Sequence, residues 1–183
     1  GASRRLVVQI EVTGPFKGNI VEFRFPRWVP GSYFIREPIQ HMSDLSATLD
    51  GKEIIAKRID VDGVRVTGVS NASKLVITYR LLAAEMTCRA NHLDSTHVHI
   101  MPPYTWMLPT RGVEENRIDG QHIVKLIAPK EWHTATQLEG KEGSWVANGR
   151  DEFLDAIMES NSNEMITFDV MGTKQHLKLW YSG

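Results

Sequence analysis

Cysteine is almost missing from this chain. One residue, Cys88, stands in 183, which excludes an internal disulfide framework and any cysteine-rich zinc centre. Charge of one sign is missing too. Lys plus Arg number 21 against 22 Asp plus Glu, a net charge of -1, so there is no electrostatic case for nucleic acid or an anionic membrane as partner. No apolar run reaches the length of a transmembrane helix, and no leader peptide is visible. Gly1-Ala2-Ser3 reads as a cloning remnant, so a removed leader stays open and bacterial cytoplasm and periplasm are both compatible with the chain. Also absent are an H-E-x-x-H helix, a G-x-S-x-G elbow and a phosphate-binding glycine loop. Cys88 itself, next to Arg89 and after an apolar strand, is expected to be a buried structural thiol rather than a nucleophile.

What is present is alternation. Leu6, Val8, Ile10 and Val12 alternate with Val7, Gln9 and Glu11; Val21, Phe23 and Phe25 with Glu22 and Arg24; Leu75, Ile77, Tyr79 and Leu81 with Thr78 and Arg80. Period two marks strands with one buried face. Leu45, Ala47 and Leu49 run into Asp50-Gly51, a hairpin dipeptide, before a strand from Lys52 to Lys57, and Asp62-Gly63 offers a second turn. Ile123 to Ile127, Met165 to Val170 and His176 to Tyr181 are further strand candidates. Helical spacing is confined to Phe153, Leu154, Ile157 and Met158, after Asn148-Gly149. The stretch from His99 to Gly120 is the least regular. The expected fold is all-β and mostly antiparallel, a β-sandwich or curved saddle-like sheets, with one short helix near 151–159. A hydrophobic content of 42% over 183 residues fits one domain, 1–183. The strand-like Trp180-Tyr181 at the end leads to the expectation that this is a piece of a longer protein.

Three constellations could carry function. Phe25-Pro26-Arg27-Trp28-Val29-Pro30-Gly31-Ser32-Tyr33-Phe34-Ile35-Arg36 centres on Pro30-Gly31, which suits a type II turn. Such a turn would hold Trp28 and Tyr33 in place and present Arg27 or Arg36 to a neighbour. His92, His97 and His99 lie beside Asp94. In extended backbone His97 and His99 share a face, a weak transition-metal candidate that His122 or His133 could complete. Asp155 and Glu159 share a face of the expected helix at i,i+4, where their repulsion would be relieved by a cation such as a substrate amine.

The aromatic segment resembles the W-x-P-G-S-Y-x-x-R signature of the amino-terminal domain of the M61 metallopeptidases, the glycyl aminopeptidase family. Four further segments agree in order. Tyr79 to Ala83 followed by Cys88-Arg89 is similar to the family's Y-x-V-x-A strand and the Arg beyond it, and Leu93-Asp94-Ser95-Thr96-His97 to its L-D-x-x-H stretch. Pro129-Lys130-Glu131-Trp132 with Thr136-Gln137-Leu138 resembles P-x-x-W and T-x-L. Asp151 to Glu159 resembles D-E-L-x-D-S-P-I-E, with Ile157 where the family usually has Pro. The resemblance implies a β-rich domain that precedes a helical catalytic domain. Zinc and general base would belong to that absent domain, leaving this chain without catalytic residues or a cofactor of its own. The domain would pack on its catalytic domain and help wall the substrate cleft, with Arg27, Trp28, Tyr33, Arg36, Asp155 and Glu159 as cleft or interdomain candidates, and meet peptide substrate only through the parent. Alone, it could pair through its docking face into a non-physiological dimer. Two other readings compete. One is a stand-alone carbohydrate- or peptide-binding module with Trp28, Tyr33, Tyr104 or Trp106 as an exposed platform. The other is an independent metalloenzyme on His92, His97 and His99.

Overall fold

The computed structural model describes residues 4–29, 32–163 and 165–178. The first half of the chain, with one strand from the second, builds two four-stranded antiparallel sheets. In one, the order is β1 (Arg5–Thr13), β7 (Lys74–Leu82), β3 (Met42–Leu49) and β4 (Lys52–Ile54). In the other it is β10 (Leu108–Arg111), β2 (Ile20–Arg24), β6 (Gly63–Thr67) and β5 (Ala56–Arg58). Their inner faces share one core: Val8, Val21, Phe23, Phe25, Val64, Val66, Leu75, Ile77, Tyr79 and Leu81 are all buried in it. These are the apolar positions of the period-two pattern, and Val7, one residue out of phase, is exposed. Asp50 and Gly51 take positive φ of 48° and 81°, as a two-residue hairpin between β3 and β4 requires. The single strand expected from Lys52 to Lys57 divides at Ile55. β4 pairs with β3, and β5 pairs with β6 in the opposite sheet.

The second half builds a smaller unit around its own core. One sheet runs β12 (His133–Thr136), β15 (Met158–Asn161), β9 (His97–Ile100), β8 (His92–Leu93); the other runs β11 (His122–Lys125), β14 (Ser144–Ala147), β13 (Glu139–Lys141). Val98, Ile100, Trp132, Leu138, Trp145, Phe153 and Met158 are buried between them. Two short helices, α1 (Pro102–Thr105) and α3 (Arg150–Asp155), complete the unit, while a third, α2 (Glu115–Ile118), packs Ile118 against the first core. α1 and α2, with β10 between them, lie within the stretch that looked least regular. A hairpin of β16 (Met165–Val170) and β17 (Thr173–Lys178) follows. The final strand expected from His176 to Tyr181 therefore starts earlier; Leu179, Trp180 and Tyr181 lie outside the described residues, as does the Pro30-Gly31 pair. No described helix is long and apolar enough to cross a membrane.

Leu6 and Trp106 pack against both cores and so join the units. The joint is fixed by polar bonds. Tyr79 is fully buried; its hydroxyl donates to the Thr105 carbonyl at 2.6 Å and accepts the Met107 N–H at 3.3 Å. Asn91 clamps the same corner, accepting the Met101 N–H (2.8 Å) and the Thr105 hydroxyl (2.9 Å) and donating to the Tyr104 carbonyl (3.3 Å). A buried phenol must find a partner, and here the partner is the chain entering the second core. Tyr79→Phe keeps the ring and strands two backbone groups, so unfolding in urea should show a loss of about 1–3 kcal/mol. A midpoint equal to wild type would contradict this role.

Candidate functional site

The aromatic loop leaves β2 at Arg24 and is tethered by a buried acid. Asp62 is 2% exposed. Its carbonyl accepts the Phe25 N–H at 3.0 Å, and its carboxylate accepts from the guanidinium groups of both Arg24 and Arg27. Asp60 binds the same Arg24 nitrogen, Nη1, at 2.8 Å. Farther along, the Arg36 N–H donates to the Arg27 carbonyl (3.3 Å), its Nε donates to Ser32 Oγ (3.4 Å), and its guanidinium lies 5.8 Å from the Phe34 ring centroid. The Tyr104 hydroxyl also interacts with Arg36; burial raises the phenol above its ordinary pKa and Arg36 opposes that rise. Arg27 and Arg36 thus both bond within the domain that carries them. Large apolar groups of the same loop face outward: Trp28 at 60% exposure, Tyr33 at 90%, Phe34 at 67% and Ile35 at 64%. Trp106 packs between the cores and Tyr104 is half-buried, so neither adds to an open aromatic platform.

The second cluster occupies one face of the β12–β15–β9–β8 sheet. Residues directly opposite across an antiparallel pair share a face. His92 is opposite His99, His99 opposite Glu159, His97 opposite Asn161, and Asn161 opposite His133. The opposite face, with Val98, Ile100 and Met158, lies in the core. His97 Nε2 contacts Glu159 Oε2 at 2.6 Å and His99 Nδ1 contacts Glu159 Oε1, so one carboxylate bridges both imidazoles. His92 stacks on His97 with ring centroids 5.6 Å apart and holds Asp94 at 3.1 Å. All three rings are buried, whereas the Glu159 side chain is 36% exposed. Burial pushes the Glu159 carboxyl up, but the bonds from His97 and His99 outweigh it and hold it at about 2. Asp94 is likewise raised by burial and brought down to about 2 by the Thr96 N–H, His92, the Thr96 hydroxyl and the His97 N–H.

Several candidates take new places. α3 ends at Asp155, and Glu159 lies in β15, so the two acids are not i,i+4 neighbours on a helix. Pairing of β15 with both β9 and β12 overrides the helical spacing of Phe153 to Met158. At the break Ala156 has φ -82° and ψ 81°, and the Ile157 N–H donates to the Asp155 carbonyl at 3.0 Å. That is an inverse γ-turn, closed by a bond that a proline at 157 could not make. Asp155 is exposed. Cys88, expected to be buried, is exposed on the loop beyond β7, because the strand ends at Leu82 and only an isolated bridge, Ala84 to His92, follows. Of the two distant histidines, His133 joins the polar face. His122 does not: it stands on β11, donates to the Ile118 carbonyl at 2.9 Å and stacks on Phe153. Asp62 was legible only as half of an Asp-Gly turn, and Asn161 carried no motif. The alternation of Glu159 and Asn161, matched to that of His97 and His99, was the one available signal for the shared face.

The depressed acids set a direction for acid sensitivity. Their folded values of about 2 lie below ordinary values of 4.5 and 3.8, so their stabilisation is complete above about pH 5 and lost as pH falls through about 2. Glu159→Gln should therefore flatten the fall in denaturation midpoint between those limits. An acid limb as steep as that of wild type would contradict the geometry. At the tethered loop, Asp62→Ala leaves the Arg27 guanidinium without its acid and Arg24 with Asp60 alone. A lower denaturation midpoint is expected, with a red shift of Trp28 emission; an unchanged midpoint and spectrum would show that Asp62 does not hold the loop.

Residues 2–158 match the Peptidase M61 N-terminal domain. No curated protein matches the chain. Among solved structures, the crystal structure of an aminopeptidase N family protein from Idiomarina loihiensis shares the fold with a TM-score of 0.83 at 21% identity, over 95% of this chain and 30% of that one. This chain therefore spans less than a third of that protein's length. The ordered motifs, the antiparallel sheets that carry them and the family match agree: the chain belongs to the Peptidase M61 N-terminal domain family.

Proposed function

We propose that this domain is a non-catalytic part of a zinc aminopeptidase, and that it docks on the catalytic domain and helps shape the substrate cleft. The observation that carries the reading is the aromatic loop. Trp28, Tyr33, Phe34 and Ile35 are exposed together on a segment pinned from inside by Asp62 and Arg36. Large apolar side chains each contribute about 1.5–3 kcal/mol when buried, and a pre-ordered loop loses little entropy on docking. Family membership supports a peptidase parent, and the 30% coverage of the Idiomarina protein is what one domain of a larger chain would give.

Zinc finds no fit among the described residues. Among the described residues no group of three or more His, Cys, Asp or Glu is placed to hold a metal, and the imidazoles of His97 and His99 face a carboxylate that already bridges them. The metal chemistry of the parent is therefore assigned to its catalytic domain, and this chain contributes shape and charge. Glu159, half-exposed on the polar face, and Asp155, exposed at the end of α3, are its candidate cleft residues.

The exposure of Trp28 and Tyr33 also suits a stand-alone module that stacks sugars or peptides, and one experiment separates the two. In the full-length protein, Trp28→Ser with Tyr33→Ser should uncouple the domains, turning one cooperative thermal transition into two and lowering kcat/KM for unblocked peptides. A single transition with unchanged kinetics would reject docking through this loop. Saturable binding of an oligosaccharide by the isolated chain, lost in the same double variant, would favour the module.

A further inference from the structure

The face of the β10–β2–β6–β5 sheet away from the first core carries a row of charged side chains in register. Arg111 is opposite Glu22, Glu22 opposite Arg65, and Arg65 opposite Lys57. Residues directly opposite share a face, and the residues alternating with them, Phe23, Val64 and Val66, are buried in the core. Glu22 is 8% exposed. Arg65 donates to its Oε1 from Nε at 2.9 Å and reaches it through Nη2 at 2.7 Å, while Arg111 stands off at 3.6 Å. Three cations therefore share one acid. Lys57 makes no ion pair among the described residues, and its place opposite Arg65 sets like charges against each other. Its neighbour Arg58 directs one donor at the Met42 carbonyl, a neutral partner.

Beside this row lies an open cleft of about 480 Å³, a volume typical of small-molecule sites. Ile54, Ile55 and Ile59 form its apolar wall, and Lys57, Arg58 and Arg65 its charged side. The cleft exists because the chain changes sheets here. β4 pairs with β3 and β5 with β6, and Ile55, between the two pairings, stands 70% exposed. We propose that this cleft binds a small aliphatic carboxylate, with its head between Lys57 and Arg65 and its alkyl chain along the three isoleucines.

The charge and the lining select that chemistry. Arg65 engages Glu22 through Nε and Nη2, which leaves Nη1 for a second anion. Lys57 brings three rotatable donors. An anion held between them relieves their repulsion, and Glu22, already in the row, repels a dianion twice as strongly as a monoanion. A carboxylate is therefore favoured over a phosphate. An alkyl chain gains from the isoleucines by contact alone. A peptide would bring amides as well, and Thr67 is the one neutral polar side chain in the lining to meet them. The cleft uses neither the aromatic loop nor the histidine face, so its ligand does not depend on the docking reading.

The test is a titration of this chain, labelled at its isoleucine δ1 methyls, with octanoate below its micelle concentration. Octanol supplies the tail without the charge, and acetate the charge without the tail. Octanoate is expected to shift the Ile54, Ile55 and Ile59 methyls saturably, with octanol weaker and acetate silent. Lys57→Glu, at an exposed position without an ion-pair partner, should weaken octanoate by about tenfold and leave octanol unchanged. Ile55→Asp should weaken both. No saturable shift in the folded wild-type chain, an equal response to octanol, or an octanoate affinity unchanged by Lys57→Glu would overturn the proposal. So would tighter binding of an acetylated, amidated Glu-Ile-Glu-Ile peptide, which would assign the face to a protein partner. None of these results bears on the aromatic loop.

Discussion

The phenol of Tyr79 is the bond on which this architecture turns. It hangs from the central strand of the first sandwich, deep enough that no water can serve it, and is satisfied only by the backbone of Thr105 and Met107. Those residues flank Trp106, which packs against both cores. Closing the first core therefore positions the chain that starts the second, and Asn91 secures the same corner from the β7–β8 connection. β9 enters that corner from one side and β10 leaves it on the other. The buried polar face and the edge of the first sandwich meet at this hydrogen-bonded joint.

A second buried acid does for the surface what Tyr79 does for the interior. Asp62 gathers Arg24 and Arg27, and Arg36 gathers Ser32, Phe34 and Tyr104. Desolvated carboxylates are rarely tolerated without such partners. The result is a loop whose arginines are bonded within the domain and whose aromatics are exposed, an arrangement that suits a docking surface.

The strands of the first sandwich were legible because each has one wet face, so alternation survives in the sequence. Val8 against Val7 and Tyr79 against Arg80 show it directly. The signature loop was legible as a family marker but not as geometry. Nothing local to Arg27 says that its partner will be Asp62, thirty-five residues on. The end of α3 was misplaced because Met158 satisfies helical spacing and strand alternation equally, and only the pairing of β15 with two neighbours decides between them. Cys88 was misplaced because its apolar neighbours end one turn earlier than they seem to. The polar face was half visible, since H-x-H announces two rings on one side of a strand, while the carboxylate that joins them comes from sixty residues away.

The central claim is that this domain completes a larger peptidase by burying its aromatic loop. Amide hydrogen exchange measured on this chain alone and within the longer protein tests it most directly. The account expects Trp28, Val29 and Ser32 to Arg36 to gain strong protection in the longer protein, while the Tyr79 joint is equally protected in both. Equal exchange of the loop in the two forms would contradict it.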